Sequence, residues 1–175
     1  MKKLLGILTC VGLLAESGMV VSGQGVIVNE IMYHPASENL RESYVELYNP
    51  GTTTANLSGW QFTKGLHFAF PTNTTLAPGG YLVVAADGAV FAATHPGVTN
   101  YIAGWAPPMG SHLLLEDASG QTVSEVHYYN DGDWATRVLT TNGFATYGHY
   151  GWEWLAPHDG LGNSLELINP ALPNT

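Results

Sequence analysis

The segment SYVELYNPG, residues 43–51, decides the fold class. Val45 and Leu47 point to one side of this segment, while the two tyrosines and the glutamate between them point to the other. This two-residue period is that of a half-buried β-strand. The Asn-Pro-Gly sequence that follows is a strong turn signal, because proline fixes φ and glycine accepts a positive φ. The segment therefore predicts a strand that ends in a tight turn.

Short β-rich runs separated by turn residues occur on both sides of this strand. They are VIVNEIMY at 26–33, a short strand within 57–63, HFAF at 67–70, YLVVAA at 81–86, SHLLLED at 111–117, TVSEVHYY at 122–129 and SLELI at 164–168. With the first strand they make about eight. Closely spaced short strands with glycine and proline between them predict an all-β fold, an immunoglobulin-like antiparallel β-sandwich.

Three details of this pattern are specific enough to test. The continuous apolar run at 81–86 predicts a strand that is buried on both faces. Asp87 can cap one short helix over residues 88–94, the only helix that the sequence predicts. The runs at 111–117 and 122–129 predict a hairpin with a bulge in its second strand. Residues 130–163 are rich in Gly, Trp, Tyr and Asp, and we expect them to be irregular.

The first 23 residues have the order of a secretory signal peptide. Lys2 and Lys3 precede an apolar run at 4–15. This run of about 12 residues is too short to span a bilayer, which needs about 20. Small residues at 21–23 predict cleavage before Gln24. We therefore expect a signal peptide at 1–23 and one sandwich domain at 24–175, exported to the periplasm, the cell surface or the medium. No membrane insertion is expected once the signal is removed.

Removal of the signal changes the chemistry of the chain. Cys10 leaves with it, so the mature domain contains no disulfide. The mature chain then has three basic and thirteen acidic residues, which give a formal net charge of about −10. Three cations cannot neutralise a run of phosphates, which argues against nucleic acid and against an anionic membrane surface as partners. An acidic exported domain suits solubility, divalent cations or neutral polymers such as glycans.

Asp131 and Asp133 are the predicted metal ligands. They flank a glycine in the sequence NDGD at 130–133. Carboxylates spaced in this way can converge on Ca²⁺, a hard cation that takes six to eight oxygen ligands. The alternative is an ordinary glycine turn, in which both side chains bond to the local backbone. No other cofactor is expected.

Four aromatic residues form the predicted binding site: Tyr147, Tyr150, Trp152 and Trp154, which are interspersed with Gly148 and Gly151. If they are exposed, these rings could stack on sugar rings or contact a protein partner. The alternative is that they cover an open end of the sandwich.

No motif in the sequence assembles a catalytic site. Glu30 and Glu46 lie within predicted strands and could form an acid–base pair, but they fit hydrogen bonding at the sheet better. Serines 58 and 111 lack the strand-turn-helix setting of a hydrolase nucleophile. The histidines are scattered singly and none forms the i, i+4 pair of a zinc helix, so no zinc site is expected. They are His34, His67, His95, His112, His127, His149 and His158.

Six motifs in order resemble one family. They are VIVNEIMYHP at 26–35, SYVELYNPG at 43–51, LSGWQFT at 57–63, LAPGGYLVVAAD at 76–87, LLLEDASGQTVSEVHY at 113–128 and DGLGNSLELINP at 159–170. Together they resemble a bacterial lamin-tail domain over nearly all of the mature chain. Residues 135–158 depart from the family pattern, because they form a longer and more aromatic link before the last strand.

The resemblance implies an immunoglobulin-like sandwich that serves as an accessory module of secreted or surface proteins, and it supplies no catalytic residues. The expected function is therefore a non-catalytic exported binding or structural module that contacts a protein or a glycan. Two alternatives stay open: an extracellular hydrolase that acts on a polymer, and a structural domain stabilised by calcium.

Overall fold

A computed structural model describes residues 25–140 and 151–169. The predicted signal peptide at 1–23 lies outside the described residues. Within them there are thirteen strands, one α-helix and two 3₁₀ helices. The strands are β1 Ile27–Met32, β2 Tyr44–Tyr48, β3 Ala55–Asn56, β4 Gln61–Lys64, β5 Phe68–Ala69, β6 Thr75–Leu76, β7 Tyr81–Ala85, β8 Tyr101–Ala103, β9 His112–Glu116, β10 Thr122–His127, β11 Thr136–Thr140, β12 Gly151–Leu155 and β13 Leu165–Glu166. Helix α1 is Gly88–Thr94, and the 3₁₀ helices are Leu40–Glu42 and Gly132–Trp134.

Two larger sheets form the sandwich. The first has the strand order β13-β1-β2-β7-β8, and the second has the order β10-β9-β4-β5. Strands β3 and β6 form a small sheet, as do β11 and β12. Neighbouring strands are antiparallel except β7 and β8, which run parallel because α1 connects them. The predicted all-β class with one short helix is confirmed.

The core lies between the two larger sheets. Val45 and Leu47 are both 0 % exposed, as the alternation around them predicts. Leu113 and Leu115 reach the same core from β9 and are also 0 % exposed. Burial of each such side chain contributes about 1.5–3 kcal/mol. The inward positions of β2 and β9 therefore fix which faces of the two sheets point outward.

Helix α1 covers the outer face of the first sheet. Asp87 caps it, since its Oδ1 accepts hydrogen bonds from the backbone N–H groups of Ala89 (2.9 Å) and Val90 (3.0 Å). Phe91 packs with Val83 and Ala85 in a second apolar cluster. Strand β7 is therefore buried on both faces, as its continuous apolar run predicts.

The expectation that residues 130–163 are irregular is wrong for the described part of that segment. The 3₁₀ helix Gly132–Trp134 leads into β11, which pairs with β12 over five residue pairs. These two strands pair only with each other among the described residues. Because the hairpin joins neither larger sheet, none of its described side chains is buried, and the alternation of Trp152 and Trp154 with Gly151 and Glu153 does not mark a core strand.

The helices of residues 25–140 and 151–169 are short: none of them has the length and apolar character needed to cross a membrane.

Candidate functional site

The hairpin of β11 and β12 presents four side chains on one face. Trp152 and Trp154 are two residues apart on β12, so they point to the same side. Trp152 lies opposite Leu139, and Trp154 lies opposite Arg137. The exposed fractions are 59 % for Trp152, 49 % for Trp154 and 55 % for Leu139. The hairpin thus carries an exposed face of two indoles, one aliphatic side chain and one cation, which we call the tryptophan face.

Arg137 lies against both indoles of this face. Its Cζ atom is 5.6 Å from the centroid of the Trp152 ring and 6.0 Å from that of Trp154. A guanidinium group at these distances makes a cation–π interaction, worth about 0.5–1 kcal/mol at an exposed site. The contact places one cation against both indoles of this face.

Two of the four predicted aromatic residues, Tyr147 and Tyr150, lie outside the described residues. The other two are brought together, and sequence reasoning missed their neighbours Arg137 and Leu139. Arg137 and Leu139 join the two tryptophans only through the pairing of β11 with β12, for which the single sequence gives no signal.

Asp131 and Asp133 lie at the 3₁₀ helix Gly132–Trp134, Asp131 at its N-cap and Asp133 in its first turn. Both residues are exposed, and the Asp131 side chain makes no capping hydrogen bond. Within the described ranges, a single group of three or more His, Cys, Asp or Glu residues brings its ligand atoms within 4.8 Å of one another, and it does not include these aspartates. Calcium binding at this turn stays a prediction.

That group consists of His112, Glu125 and His127 on the hairpin of β9 and β10. His112 and His127 are directly opposite each other in the strand register, and Glu125 is two residues from His127. All three side chains therefore lie on one face of the hairpin. This face is the outer one, because Leu113 and Val126, the neighbouring register pair, are buried in the core.

Glu125 bridges the two imidazoles. Its Oε1 lies 2.7 Å from Nε2 of His112 and 3.5 Å from Nε2 of His127. The hydrogen bond from His112, and to a smaller extent that from His127, lowers the pKa of the Glu125 carboxyl. The side chains are partly open to solvent, with exposed fractions of 28 % for His112, 46 % for Glu125 and 53 % for His127. We call these residues the histidine–glutamate cluster.

The histidine–glutamate cluster is not predicted from the sequence, because its two histidines are far apart in the chain. His112 and His127 are fifteen residues apart and become neighbours only through hairpin pairing. The signal that could have found them was the predicted hairpin itself. In an antiparallel hairpin, the residue numbers of the two partners in each pair add up to nearly the same value. The position of the turn therefore sets which residues are paired.

Beside this cluster, an open groove of about 810 Å³ lies between β1, β10 and β13. Its apolar walls include Ile31, Val126, Trp134 and Leu165, and His127 also lines it. His127 of the histidine–glutamate cluster therefore also borders a groove large enough for a small molecule or a short peptide.

His34 and Asp159 form a second polar cluster at the end of β1. Nδ1 of His34 lies 2.7 Å from Oδ1 of Asp159, and Nε2 of His34 lies 3.0 Å from Oε2 of Glu38. Asn130 donates to the other Asp159 oxygen at 2.7 Å. Hydrogen bonds to Asp159 and Glu38 raise the pKa of His34. Partial burial alone would raise the pKa of Asp159, but the hydrogen bonds from Asn130 and His34 make the net shift downward. This cluster ties residues 156–160 to the first sheet.

Glu30 and Glu46 are directly opposite each other on β1 and β2. Glu30 Oε1 accepts hydrogen bonds from the Tyr44 hydroxyl at 2.7 Å and the Ser164 hydroxyl at 2.5 Å. Glu46 Oε1 accepts one from the Asn29 amide at 2.9 Å. Burial raises the pKa of Glu46, and the negative charges of Glu30 and Glu166 raise it further. These contacts match the expectation that both carboxylates bind their neighbours at the sheet.

The fold and these clusters define the class of the protein: an immunoglobulin-like β-sandwich to which an exposed aromatic hairpin is added. The model of the Lamin Tail Domain family matches residues 21–130. The chain therefore belongs to the lamin tail domain family, whose immunoglobulin-like domains fit a non-catalytic module. A comparison with curated proteins gives no match. The histidine–glutamate cluster lies within the matched residues, whereas the tryptophan face lies beyond them.

Proposed function

We propose that this protein is an exported, non-catalytic binding module, and that it contacts its partner through the tryptophan face. The observation that carries the proposal is the contact of Arg137 with the exposed indoles of Trp152 and Trp154. The module would act at the cell surface or as an accessory part of a longer secreted protein. Its export is supported by the order of charged, apolar and small residues at 1–23.

The composition of the tryptophan face favours a protein partner. Trp and Arg are enriched in the cores of protein interfaces and at the positions where truncation costs most affinity. Arg137 is one of only three basic residues in the predicted mature chain, and it lies between two tryptophans. A face with two half-exposed indoles and an exposed leucine is also poorly suited to permanent contact with water.

A glycan is the second class of partner that this face could take, because sugar rings can stack on the same indoles. The two classes make different demands. A neutral polysaccharide would depend on the two ring faces and little on Arg137. An acidic protein surface would depend on the arginine as much as on the tryptophans, and its binding would weaken with salt.

The test compares binding by the unchanged protein with that of Trp152→Ala, Trp154→Ala and Arg137→Gln. The probes are an array of neutral and acidic polysaccharides and purified envelope proteins from the producing cell. Tyr81→Ala is the matched control, since Tyr81 is 48 % exposed but lies on β7 in the first sheet. Binding that is lost in both tryptophan variants and kept in the control supports the proposal. Binding that both tryptophan variants retain in full contradicts it.

A further inference from the structure

We propose that His112, Glu125 and His127 form a binding site for one divalent transition-metal ion, with Zn²⁺ as the preferred ion. The site is distinct from the tryptophan face, and metal binding there does not depend on the function proposed for that face. It rests on the geometry of the three side chains, the nature of their donor atoms and the rigidity of the strands that hold them.

The three donor atoms lie within 4.8 Å of one another, which is close to the spacing of a zinc coordination sphere. Zinc binds imidazole nitrogen and carboxylate oxygen at about 2.0–2.2 Å in a tetrahedral arrangement, so neighbouring donor atoms lie about 3.3 Å apart. The distances from Glu125 Oε1 to the two Nε2 atoms are 2.7 Å and 3.5 Å. For zinc, the shorter distance must lengthen by about 0.6 Å and the longer one must shorten by about 0.2 Å. The two stacked imidazoles must also turn so that both Nε2 atoms point at one ion, and rotation of these partly exposed side chains supplies such movements.

The backbone beneath the cluster is held in place. His112 and His127 belong to adjacent strands of the four-stranded sheet, and the pairing of β9 with β10 continues from His112 to Glu116. On the opposite face of the same strands Leu113 is 0 % exposed and Val126 is 6 % exposed, so the core anchors both strands. Two ligands on adjacent strands therefore start near each other, and little conformational entropy is lost when an ion joins them.

The donor set selects the kind of ion. Ca²⁺ takes six to eight oxygen ligands and Mg²⁺ takes six, so two imidazoles and one carboxylate suit neither ion. Two histidines and one glutamate are a protein ligand set of zinc sites that keep a fourth position for water or another ligand. The partial exposure of all three side chains leaves room for that fourth ligand. The acidic excess of the chain also favours the approach of a cation.

The test measures metal binding by the purified chain without a polyhistidine tag, with Cys10→Ser in every sample so that no thiol contributes. Calorimetry with ZnCl₂ is expected to show one ion bound per chain. Each of His112→Gln, Glu125→Gln and His127→Gln should weaken binding by more than the roughly 10- to 100-fold that loss of an outer-shell partner costs. His67→Gln, which removes an exposed histidine on the other side of β4, should bind as the unchanged chain does.

Two further measurements use the unchanged chain, so they test the site even if a variant is poorly folded. Co²⁺ in place of Zn²⁺ should give the visible absorption of a tetrahedral site in the unchanged chain, and MgCl₂ should give no heat of binding. Proton NMR should show the imidazole C–H signals of His112 and His127, and not that of His67, shifting with Zn²⁺. The proposal is overturned by an absence of zinc binding in the unchanged chain, by equal affinity in the three ligand variants, or by imidazole shifts confined to other histidines.

Discussion

The imidazole rings of His112 and His127 are stacked, with centroids 3.9 Å apart and an angle of 20° between their planes. Their positions follow from the register of β9 and β10, in which the two residues are directly opposite. Both rings turn an Nε2 atom toward the same oxygen of Glu125. A single carboxylate oxygen thus contacts both imidazoles of the stacked pair.

The first prediction concerns Glu125 in the metal-free chain. Its pKa is lowered in the folded protein by His112 and His127, so its ionised form stabilises the fold at pH values above the usual glutamate pKa. This stability is lost as the pH falls through the lowered pKa. We expect Glu125→Gln to reduce Tm at neutral pH, and the difference from the unchanged chain to disappear in strong acid. Thermal unfolding followed by circular dichroism with a chelator present checks this.

The control for that prediction is Glu153→Gln, because Glu153 is also a glutamate within a strand but lies on β12, outside the histidine–glutamate cluster. Its effect on Tm should not share the acid dependence of Glu125→Gln. A pH-independent loss in Glu125→Gln would mean that the carboxylate contributes by shape and not by charge.

The sequence predicts correctly those strands in which several consecutive residues follow one pattern of burial. Val45 and Leu47 alternate with polar residues, and the continuous run at 81–86 includes Val83, which packs under α1. Such segments carry a periodic signal over five or more positions. Strands of two residues, such as β3 and β6, carry no period, so the sequence predicts about eight strands where the described residues contain thirteen.

The residues of the candidate sites also fall into two groups: those that the sequence indicates and those that only strand pairing brings together. Trp152 and Trp154 are visible in the sequence because they are rare residues close together. Arg137 and the histidine–glutamate cluster depend on pairing between strands, which a single sequence does not give. Register becomes readable only when the turn is known, and the bulge in β10 between Thr122 and Ser124 shifts it by one residue.

A second prediction concerns His34. Its pKa is raised in the folded protein, so its contribution to stability is fully present below pH 6.5 and is lost as the pH rises through the raised value. We expect His34→Gln to lower Tm in mildly acidic solution by up to about 4 °C, the shift that 1 kcal/mol produces in a domain of this size. At alkaline pH, His34→Gln and the unchanged chain should unfold at nearly the same temperature.

His67→Gln again serves as the comparison, because His67 is exposed on the turn between β4 and β5. A loss of stability in His34→Gln that grows with pH would contradict the sign of this prediction. Asp159→Asn should lower Tm over the same acidic range, since the Asp159 carboxylate is the group that contacts Nδ1 of His34.

A third prediction follows the calcium expectation at Asp131 and Asp133. An ion that binds only the folded chain raises Tm with its concentration. If calcium binds here, millimolar CaCl₂ should raise Tm relative to a chelator, and Asp131→Asn with Asp133→Asn should abolish the rise. The same samples titrated with ZnCl₂ should retain their response, because the histidine–glutamate cluster is unchanged. An equal Tm with calcium and with chelator in the unchanged chain would eliminate the calcium-stabilised alternative.

The last prediction concerns Glu46, whose pKa is raised by burial and by the charges of Glu30 and Glu166. A carboxyl with a raised pKa favours the fold while it is protonated, and this advantage is lost as the pH rises through the raised value. At neutral pH the ionised side chain is therefore a cost to the folded state. Glu46→Gln removes the charge but keeps an oxygen that can accept the Asn29 hydrogen bond.

We accordingly expect Glu46→Gln to raise Tm at neutral pH by about 1–3 °C, and to leave Tm unchanged in strong acid, where both side chains are neutral. Glu42→Gln, on the 3₁₀ helix Leu40–Glu42, is the control and should change Tm little at either pH. Unfolding scans over the acidic to neutral range make the comparison. A lower Tm in Glu46→Gln at neutral pH would mean that the ionised carboxylate stabilises β1 and β2 through Asn29 more than burial penalises it.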